Sequence, residues 1–542
     1  MKRLFLQVIV PILLIGGWSQ CANIQSPSGG PKDKTPPHLL SSIPVNNQTG
    51  YRGTTVLLTF DEAVKLNSPR EEIIISPSPG KEIEYKVKNN KVFITPKIPW
   101  KDSTTYSILF REGIQDITES NSPPNLKLAF STGPTIDSLV VSGQVSDLQL
   151  GIPKDKITVA IYAEDTFDIF THAPNYFTKT DKRGFFQLEN LRAGRYWIYA
   201  FDDKNKNLKV ESRSEMFGYR IMPIALATNI DTLDIPLIRL DTRPLKITSI
   251  RNTGNITRIK FNKGVVDYSL TVDKELTSAF GENISEISVW NPESADSLKV
   301  ILTARDSLDE SVDSTFFIKK TDTKPLSEKF SVTLGGSSII PESGKFSTIL
   351  TFTKPVRGLL LDSLFLKVDT TARLTFSKEE MTYRPKQKQY VLSKDLGKKM
   401  FGPESDPSIV LMLKRAFAIS VDGDTSKAVS ETVKIFWPEE NGIVTIQANT
   451  KRKNYILQLL EKSGNRIVAQ VINNNKLVAK NIPPGDYQVR AIIDSNANGV
   501  WDPGNLKKKT EPEAIIYYKA ANGSAQFPVR ANWEVGPLVF SF

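Results

Sequence analysis

The chain has 542 residues, with 70 Lys and Arg against 59 Asp and Glu, a net charge of +11, one Cys and two His. At roughly 100–200 residues per domain that length holds several domains, and 39% hydrophobic with 24% charged residues excludes a largely disordered or polytopic chain. One Cys rules out an intrachain disulfide and a Cys-based zinc cage. Two His, His38 and His172, rule out a multi-histidine metal site and leave a Ser-His-Asp triad two candidate bases.

Lys2 and Arg3 precede an apolar run, Leu4 to Gly17, broken only by Gln7 and Pro11. A charged start followed by so short an apolar stretch has the form of a secretory signal, not of a membrane span. The sole Cys, Cys21, stands just beyond it. This placement resembles a bacterial lipoprotein signal, in which cleavage before the Cys frees it for acylation. Trp18-Ser19-Gln20 departs from the small residues usual there, and the alternative is a secretory signal with a chance Cys. The resemblance implies a signal peptide over 1–20, a lipid on Cys21, and location at the outer membrane on either its periplasmic or its outer face. Residues 21–36, rich in Ser, Pro, Gly and Lys, cannot pack a core and read as a flexible tether.

From residue 37 onward, short β-rich runs are separated by Pro, Gly, Asn and Asp. Thr54–Phe60, Lys91–Thr95, Thr105–Phe110, Leu139–Val145, Thr158–Tyr162 and Arg195–Phe201 are expected strands. Regular spacing of such runs predicts an all-β chain of tandem sandwiches. Helical periodicity is nearly absent, with weak signals only near Lys378–Met381 and Lys394–Met400.

One phrase, an aliphatic residue, x, Phe, three residues, then Val, occurs as Leu58-Thr59-Phe60 to Val64, Ile259-Lys260-Phe261 to Val265, and Leu350-Thr351-Phe352 to Val356. Around the first copy stand Pro36-Pro37, Pro44, Asp102-Ser103-Thr104-Thr105-Tyr106 and a closing Phe130-Ser131-Thr132-Gly133. That series resembles the bacterial Ig-like domains of the S-layer type. A second phrase, Asn190-Leu191-Arg192-Ala193-Gly194-Arg195-Tyr196, repeats as Asn481-Ile482-Pro483-Pro484-Gly485-Asp486-Tyr487 at an offset of 291, while the first and third Ig-like phrases lie 292 apart. Two unrelated phrases sharing one offset imply a duplicated Ig-like plus sandwich pair around an extra Ig-like domain. Gly184-Phe185-Phe186 to Tyr196 resembles the prealbumin-like, carboxypeptidase-regulatory class of small sandwich, whose modules are accessory and non-catalytic. The expected domains are 37–134 (Ig-like), 135–242 (prealbumin-like), 243–325 (Ig-like), 326–440 (Ig-like) and 441–542 (prealbumin-like). The whole arrangement resembles Ig-like outer-membrane lipoproteins of the Bacteroidota.

Asp494, Asn496, Asn498, Gly499 and Asp502 have the spacing of an EF-hand-type loop for Ca²⁺, with the Val500 carbonyl as a further ligand. Position 12 is Asn505 in place of the usual Glu, and Glu511 or Glu513 could substitute if the loop folds back. The alternative is a hairpin loop whose Asx side chains bond their own backbone. In the first copy Asp203, Asn205 and Asn207 keep the alternation, but Leu208 replaces the glycine, which favours a structural turn.

Period two places Tyr196, Ile198 and Ala200, like Tyr487, Val489 and Ala491, toward a core. The opposite face reads Trp197, Tyr199, Phe201 in one copy and Gln488, Arg490, Ile492 in the other. An aromatic face of that kind needs a cover, either a neighbouring domain or a partner protein or glycan. Asp-Ser/Thr-Leu/Thr triplets centred on Ser103, Ser138, Thr232, Ser297, Ser307, Ser314 and Ser363 resemble an O-glycosylation signal of Bacteroidota envelope proteins; the alternative is a plain Asp-Ser turn. No catalytic residues are identified, and the basic excess carries no nucleic-acid signature. The sequence reads as a non-enzymatic, lipid-anchored envelope scaffold, an accessory subunit for an outer-membrane β-barrel or its assembly or transport machinery. The rival is a calcium-stiffened adhesin for glycan or matrix.

Overall fold

The computed structural model describes residues 33–542 except 81, 164–165, 175, 274–275, 291–296, 320, 322, 324–327, 370–371, 403–406 and 464–465. Cys21 and the expected signal peptide lie outside the described residues, as does Asp296. The protein is all-β: among the described residues its helices are one four-residue turn, Pro69–Glu72, and four short 3-10 turns. The six strands read from the sequence form within two residues of their expected ends. Of the two weak helical signals, the first gives way to the strand Met381–Arg384, and the second leaves the 3-10 turn Lys398–Phe401.

The chain divides into two compact units, one of residues up to Leu139 with Glu189–Arg192, the other of Val140–Leu188 with Ala193–Phe542. In the first unit, Leu39–Ile43, Val56–Phe60, Lys91–Pro96 and Ile83–Lys88 form one sheet, and Ile74–Ser76, Thr105–Leu109 and Lys127–Ser131 another. Alternation does the folding here. Val56, Leu58 and Phe60 point inward with Val92, Ile94, Ile108 and Phe130, all essentially without solvent contact, while the residues between them face out. Trp100, Tyr106 and Phe130 pack edge to face and stacked at 4.7–5.5 Å, geometry that adds about 0.5–1.5 kcal/mol per pair to simple burial.

In the second unit, two sandwiches share one plan. Leu139–Asp147 runs parallel to Ile230–Leu237, and Gly442–Asn449 parallel to Glu534–Ser541. Each has a five-stranded second sheet, ordered Tyr176–Lys179, Thr158–Tyr162, Gly194–Phe201, Phe217–Tyr219 in one copy and Arg466–Ile472, Ile456–Glu461, Gly485–Ile492, Ile515–Tyr517 in the other, with a fifth strand beside the third. Between them in sequence, 247–318 and 332–435 form further sheets around their own apolar clusters. No ladder among the described residues pairs strands from two of these segments.

The Ig-like phrase has a second use. Two residues past its Phe stand Glu62, Lys263 and Lys354. Lys263 pairs with Asp306, and both side chains are at least nine-tenths buried. Lys354, equally buried, lies 3.0 Å from Asp422 and 2.5 Å from Asp424. Asp306 also accepts the backbone N–H groups of Leu308 and Glu310, so this Asp of an Asp-Ser-Leu triplet is a turn-former. Breaking a buried pair on one side leaves an uncompensated charge in the core. Lys263→Met is expected to destabilise its sandwich by about 3–5 kcal/mol, read as a lowered denaturation midpoint; a loss under about 1 kcal/mol, the worth of an exposed pair, would contradict this.

Candidate functional site

The duplicated loops after Gly194–Phe201 and Gly485–Ile492 are built alike. Asp203 accepts the N–H groups of Asn207 and Leu208 at 3.0 Å each; Asp494 accepts those of Asn498 and Gly499 at 3.0 and 2.8 Å. Asn205 and Asn496 bond the N–H two residues on at 3.1 Å, as Asn207 and Asn498 do at 2.8 and 2.9 Å. Leu208 takes φ 59° where Gly499 has φ 77°, so the missing glycine changes the residue but not the turn. A β-carbon in that region costs roughly 1–2 kcal/mol. Leu208→Gly is therefore expected to keep the loop's shape and raise its stability by up to about 1 kcal/mol, measurable as a higher melting midpoint.

Sequence reasoning missed the anchor of the first loop. The buried Glu215 accepts the N–H groups of Lys204 and Glu211, at 2.9 and 2.8 Å. Glu513, named only as a fold-back substitute, takes the same place in the second loop, accepting from Ser495 at 2.6 Å and Asp502 at 3.1 Å. The two Glu are 298 residues apart, not 291, because the second loop is seven residues longer. Glu511 does otherwise: its carboxylate accepts from Ile221 N–H at 2.9 Å and from Arg220 at 3.2 Å. Asn505, expected at position 12, is buried and donates to the Leu308 carbonyl at 2.9 Å.

Of the remaining loop residues, Asn496 and Asn498 donate to Asp502 at 2.7 and 2.8 Å, and Val500 is exposed. The structure thus gathers Asp494, Asn496, Asn498, Asp502 and Glu513 in one loop, with the carboxylates of Asp494 and Glu513 engaged by backbone N–H groups. Among the described residues, no group of three or more His, Cys, Asp or Glu is arranged to hold a metal. Burial pushes the Glu513 carboxyl above its usual range, and Asp502 and Asp494 add to it against opposing backbone bonds. Burial raises Glu215 and Asp203 in the same way.

Next to this loop, the outward face of the earlier sandwich is covered from within the chain. Phe201 is fully buried in a cluster with Phe217, Tyr219 and Leu308, against which Tyr199, Trp501, Leu506 and Ile515 pack. Phe201 is accordingly interior to the fold; Tyr199 and Trp197 are both half-buried, Tyr199 against this cluster and Trp197 opposite Tyr162. The joint is fastened by Tyr219 Oη donating to the Thr510 carbonyl at 2.8 Å, by Glu511, and by Tyr517 Oη donating to the Gln149 carbonyl.

The candidate glycosylation residues are scattered. Ser103, Ser138, Thr232, Ser297 and Ser307 are exposed, while Ser314 and Ser363 are half-buried. His172 Nδ1 accepts the Asp168 N–H at 3.0 Å and lies 3.2 Å from the hydroxyl of the adjacent Thr171, a local turn contact. No helix of the described residues is long and apolar enough to cross a membrane.

Residues 33–132 match the bacterial Ig-like domain. No curated protein matches the chain. Among solved structures it is similar to BcpA, the major pilin subunit of Bacillus cereus, at 10% identity over 75% of this chain and 98% of that one, with a TM-score of 0.14. It is also similar to SGBP-B of the Bacteroides ovatus mixed-linkage glucan utilization locus, at 11% identity over 72% and 93% with a TM-score of 0.15. The T6 backbone pilin of Streptococcus pyogenes follows at 9% identity over 70% and 80%, with a TM-score of 0.12. TM-scores in this range assign no function.

The raised carboxyls give a pH signature. In the fold Glu513 keeps its proton to higher pH than the unfolded value of 4.5. Its contribution is therefore fully favourable below that value and is lost as pH rises through the folded value. Glu513→Gln mimics the neutral acid, so the melting midpoint of the wild type relative to this variant is expected to fall as pH rises above 4.5. A difference independent of pH would contradict the buried, carboxylate-flanked setting.

Proposed function

We propose that the protein is a non-enzymatic scaffold of the bacterial envelope, held at the outer membrane by lipid on Cys21. In this reading it is an accessory subunit binding an outer-membrane β-barrel or its assembly or transport machinery. The observation that carries it is the face-to-face locking of the duplicated sandwiches through Phe201, Trp501, Tyr219 and Glu511. A chain that invests its aromatic and acidic side chains in fixing the angle between modules is suited to holding a partner at a set geometry. The Ig-like match over 33–132 supports the same class, since such domains ordinarily bind and space without catalysis. Trp197, outside the packed aromatic cluster, is the residue of its trio that a partner would meet.

Ca²⁺ enters this reading as a ligand of the 494–502 loop, on Asp494, Asn496, Asn498, the Val500 carbonyl and Asp502, where it would stiffen the joint. A melting midpoint unmoved by Ca²⁺ or chelator removes it. Glycans on the exposed Ser103, Ser138, Thr232, Ser297 and Ser307 would add mass to native protein relative to cytoplasmic recombinant protein.

Two experiments test the core of the proposal. Cys21→Ser is expected to move the protein from the membrane fraction to the soluble fraction, because several acyl chains at roughly 0.8 kcal/mol per buried methylene would be lost. Crosslinking and pull-down from native membranes is expected to recover a β-barrel or one of its assembly factors. Recovery of no envelope protein would overturn the scaffold reading, and full cleavage by protease added to intact cells, together with loss of adhesion on deletion, would favour an adhesin.

A further inference from the structure

The two sandwich copies differ most on one sheet face. In the last copy, pairing sets Gln470 opposite Gln458, Gln458 opposite Arg490, and Arg490 opposite Tyr517, a polar row across four strands. The next row is Ile472, Ile456, Ile492 and Ile515. In the earlier copy the polar row is replaced by Phe177, Ala160, Tyr199 and Tyr219. Those residues belong to or pack on the buried aromatic cluster. In the last copy the corresponding face opens instead into a cavity of about 440 Å³, walled on one side by Val500 and Trp501.

The polar row is wired. Gln458 Nε2 donates to Gln470 Oε1 at 3.0 Å, Arg490 Nε donates to Gln458 Oε1 at 2.8 Å, and an Arg490 Nη donates to the Gln149 carbonyl at 3.3 Å. Gln458 sits on a central strand and is 5% exposed. Burying an amide where the sister module has Ala160 costs desolvation that its hydrogen bonds only modestly outweigh, so packing gives little reason for the row.

We propose that this groove binds an oligosaccharide. The strand Ile456–Glu461 is hydrogen-bonded on both sides, so a ligand lying over Gln458 and Arg490 is read by side chains, and the sheet's outer strand on this side is Arg466–Ile472. Within the groove, amide, amide and guanidinium (Gln470, Gln458, Arg490) follow one another at the strand spacing of about 4.8 Å, comparable to the size of one sugar ring. They are flanked by isoleucines and an indole held by its Nε1–H to the Glu513 carbonyl at 3.1 Å. Planar polar groups beside apolar surface suit a body with hydroxyls at its rim and C–H groups on its faces, which is a pyranose. The described lining carries one cation, Arg490, and no carboxylate, so the groove takes neutral rings and tolerates a uronate.

Affinity gel electrophoresis of the full chain in xyloglucan, galactomannan, dextran, polygalacturonate and hyaluronan tests this. At least one polysaccharide is expected to retard the wild type. Gln470→Ala, at the exposed end of the row and remote from the Gln149 joint, and Arg490→Ala should each bind at least about tenfold more weakly, equivalent to roughly 1.4 kcal/mol. Retardation by a neutral polymer alone or by polygalacturonate and hyaluronan alone identifies the sugar class. No retardation by any of the five, or retardation of Gln470→Ala equal to wild type with an unchanged melting midpoint, overturns the proposal. Loss of an envelope protein from the pull-down in Gln470→Ala, without loss of glycan retention, assigns the row to a protein and overturns it too.

Discussion

The second unit hangs on a buried carboxylate that accepts two backbone N–H groups of its own loop. Glu513 ties Ser495 to Asp502, and its carbonyl takes the indole N–H of Trp501. With that tie in place, the loop delivers Trp501 and Leu506 onto the Phe201 cluster and Asn505 onto the Leu308 carbonyl. The same tie sets the wall of the groove over Gln458 and Arg490. A carboxylate so used must give up water, and the upward pressure on its proton affinity is the expected physical trace of that desolvation. Glu215 repeats the device in the earlier copy.

Two sandwiches of one topology present corresponding faces and treat them in opposite ways. One is aromatic and covered; the other carries Gln458, Gln470 and Arg490 and is partly open. The seven extra residues of the later loop carry Asn505, Leu506 and the Lys507–Lys509 run, and Lys507 and Lys508 reach Glu310 and Asp309 at 3.1 and 2.8 Å. The longer loop of the later copy touches both the neighbouring module and its sister.

How much of this was legible in the sequence follows from the range of each interaction. Strands such as Thr158–Tyr162 were readable because period-two alternation is local, and the duplication because an offset of 291 is preserved in two phrases. The Asx turns were readable as oxygen spacing, but spacing alone could not separate a cation cage from a self-bonded loop, since both use Asp and Asn at alternate positions. Leu208 pointed to a structural turn, and the Asp203 carboxylate, accepting its N–H, accompanies the left-handed conformation that Gly499 takes in the other copy. Glu215 was invisible because its partners are backbone groups with no sequence signature. The row Gln470–Gln458–Arg490–Tyr517 needed the strand register, and the burial of Lys263 needed Asp306, 43 residues away.

Absence of disulfides sharpens the meaning of those buried charges. Each sandwich of this size depends on core packing for stability, and thiol cross-links are closed to a chain whose single Cys stands at residue 21. Lys263–Asp306 and Lys354 with its two Asp stand at the matching position of two Ig-like phrases, where the first phrase has Glu62. Such pairs add little net stability compared with apolar residues of the same shape. What they add is discrimination: a slipped strand would strand a charge in the core, and that penalty selects the native register. In a chain of repeated, similar sandwiches, where a strand of one module could pair in another, that penalty falls on the mispaired states, and modules of like sequence stay separate.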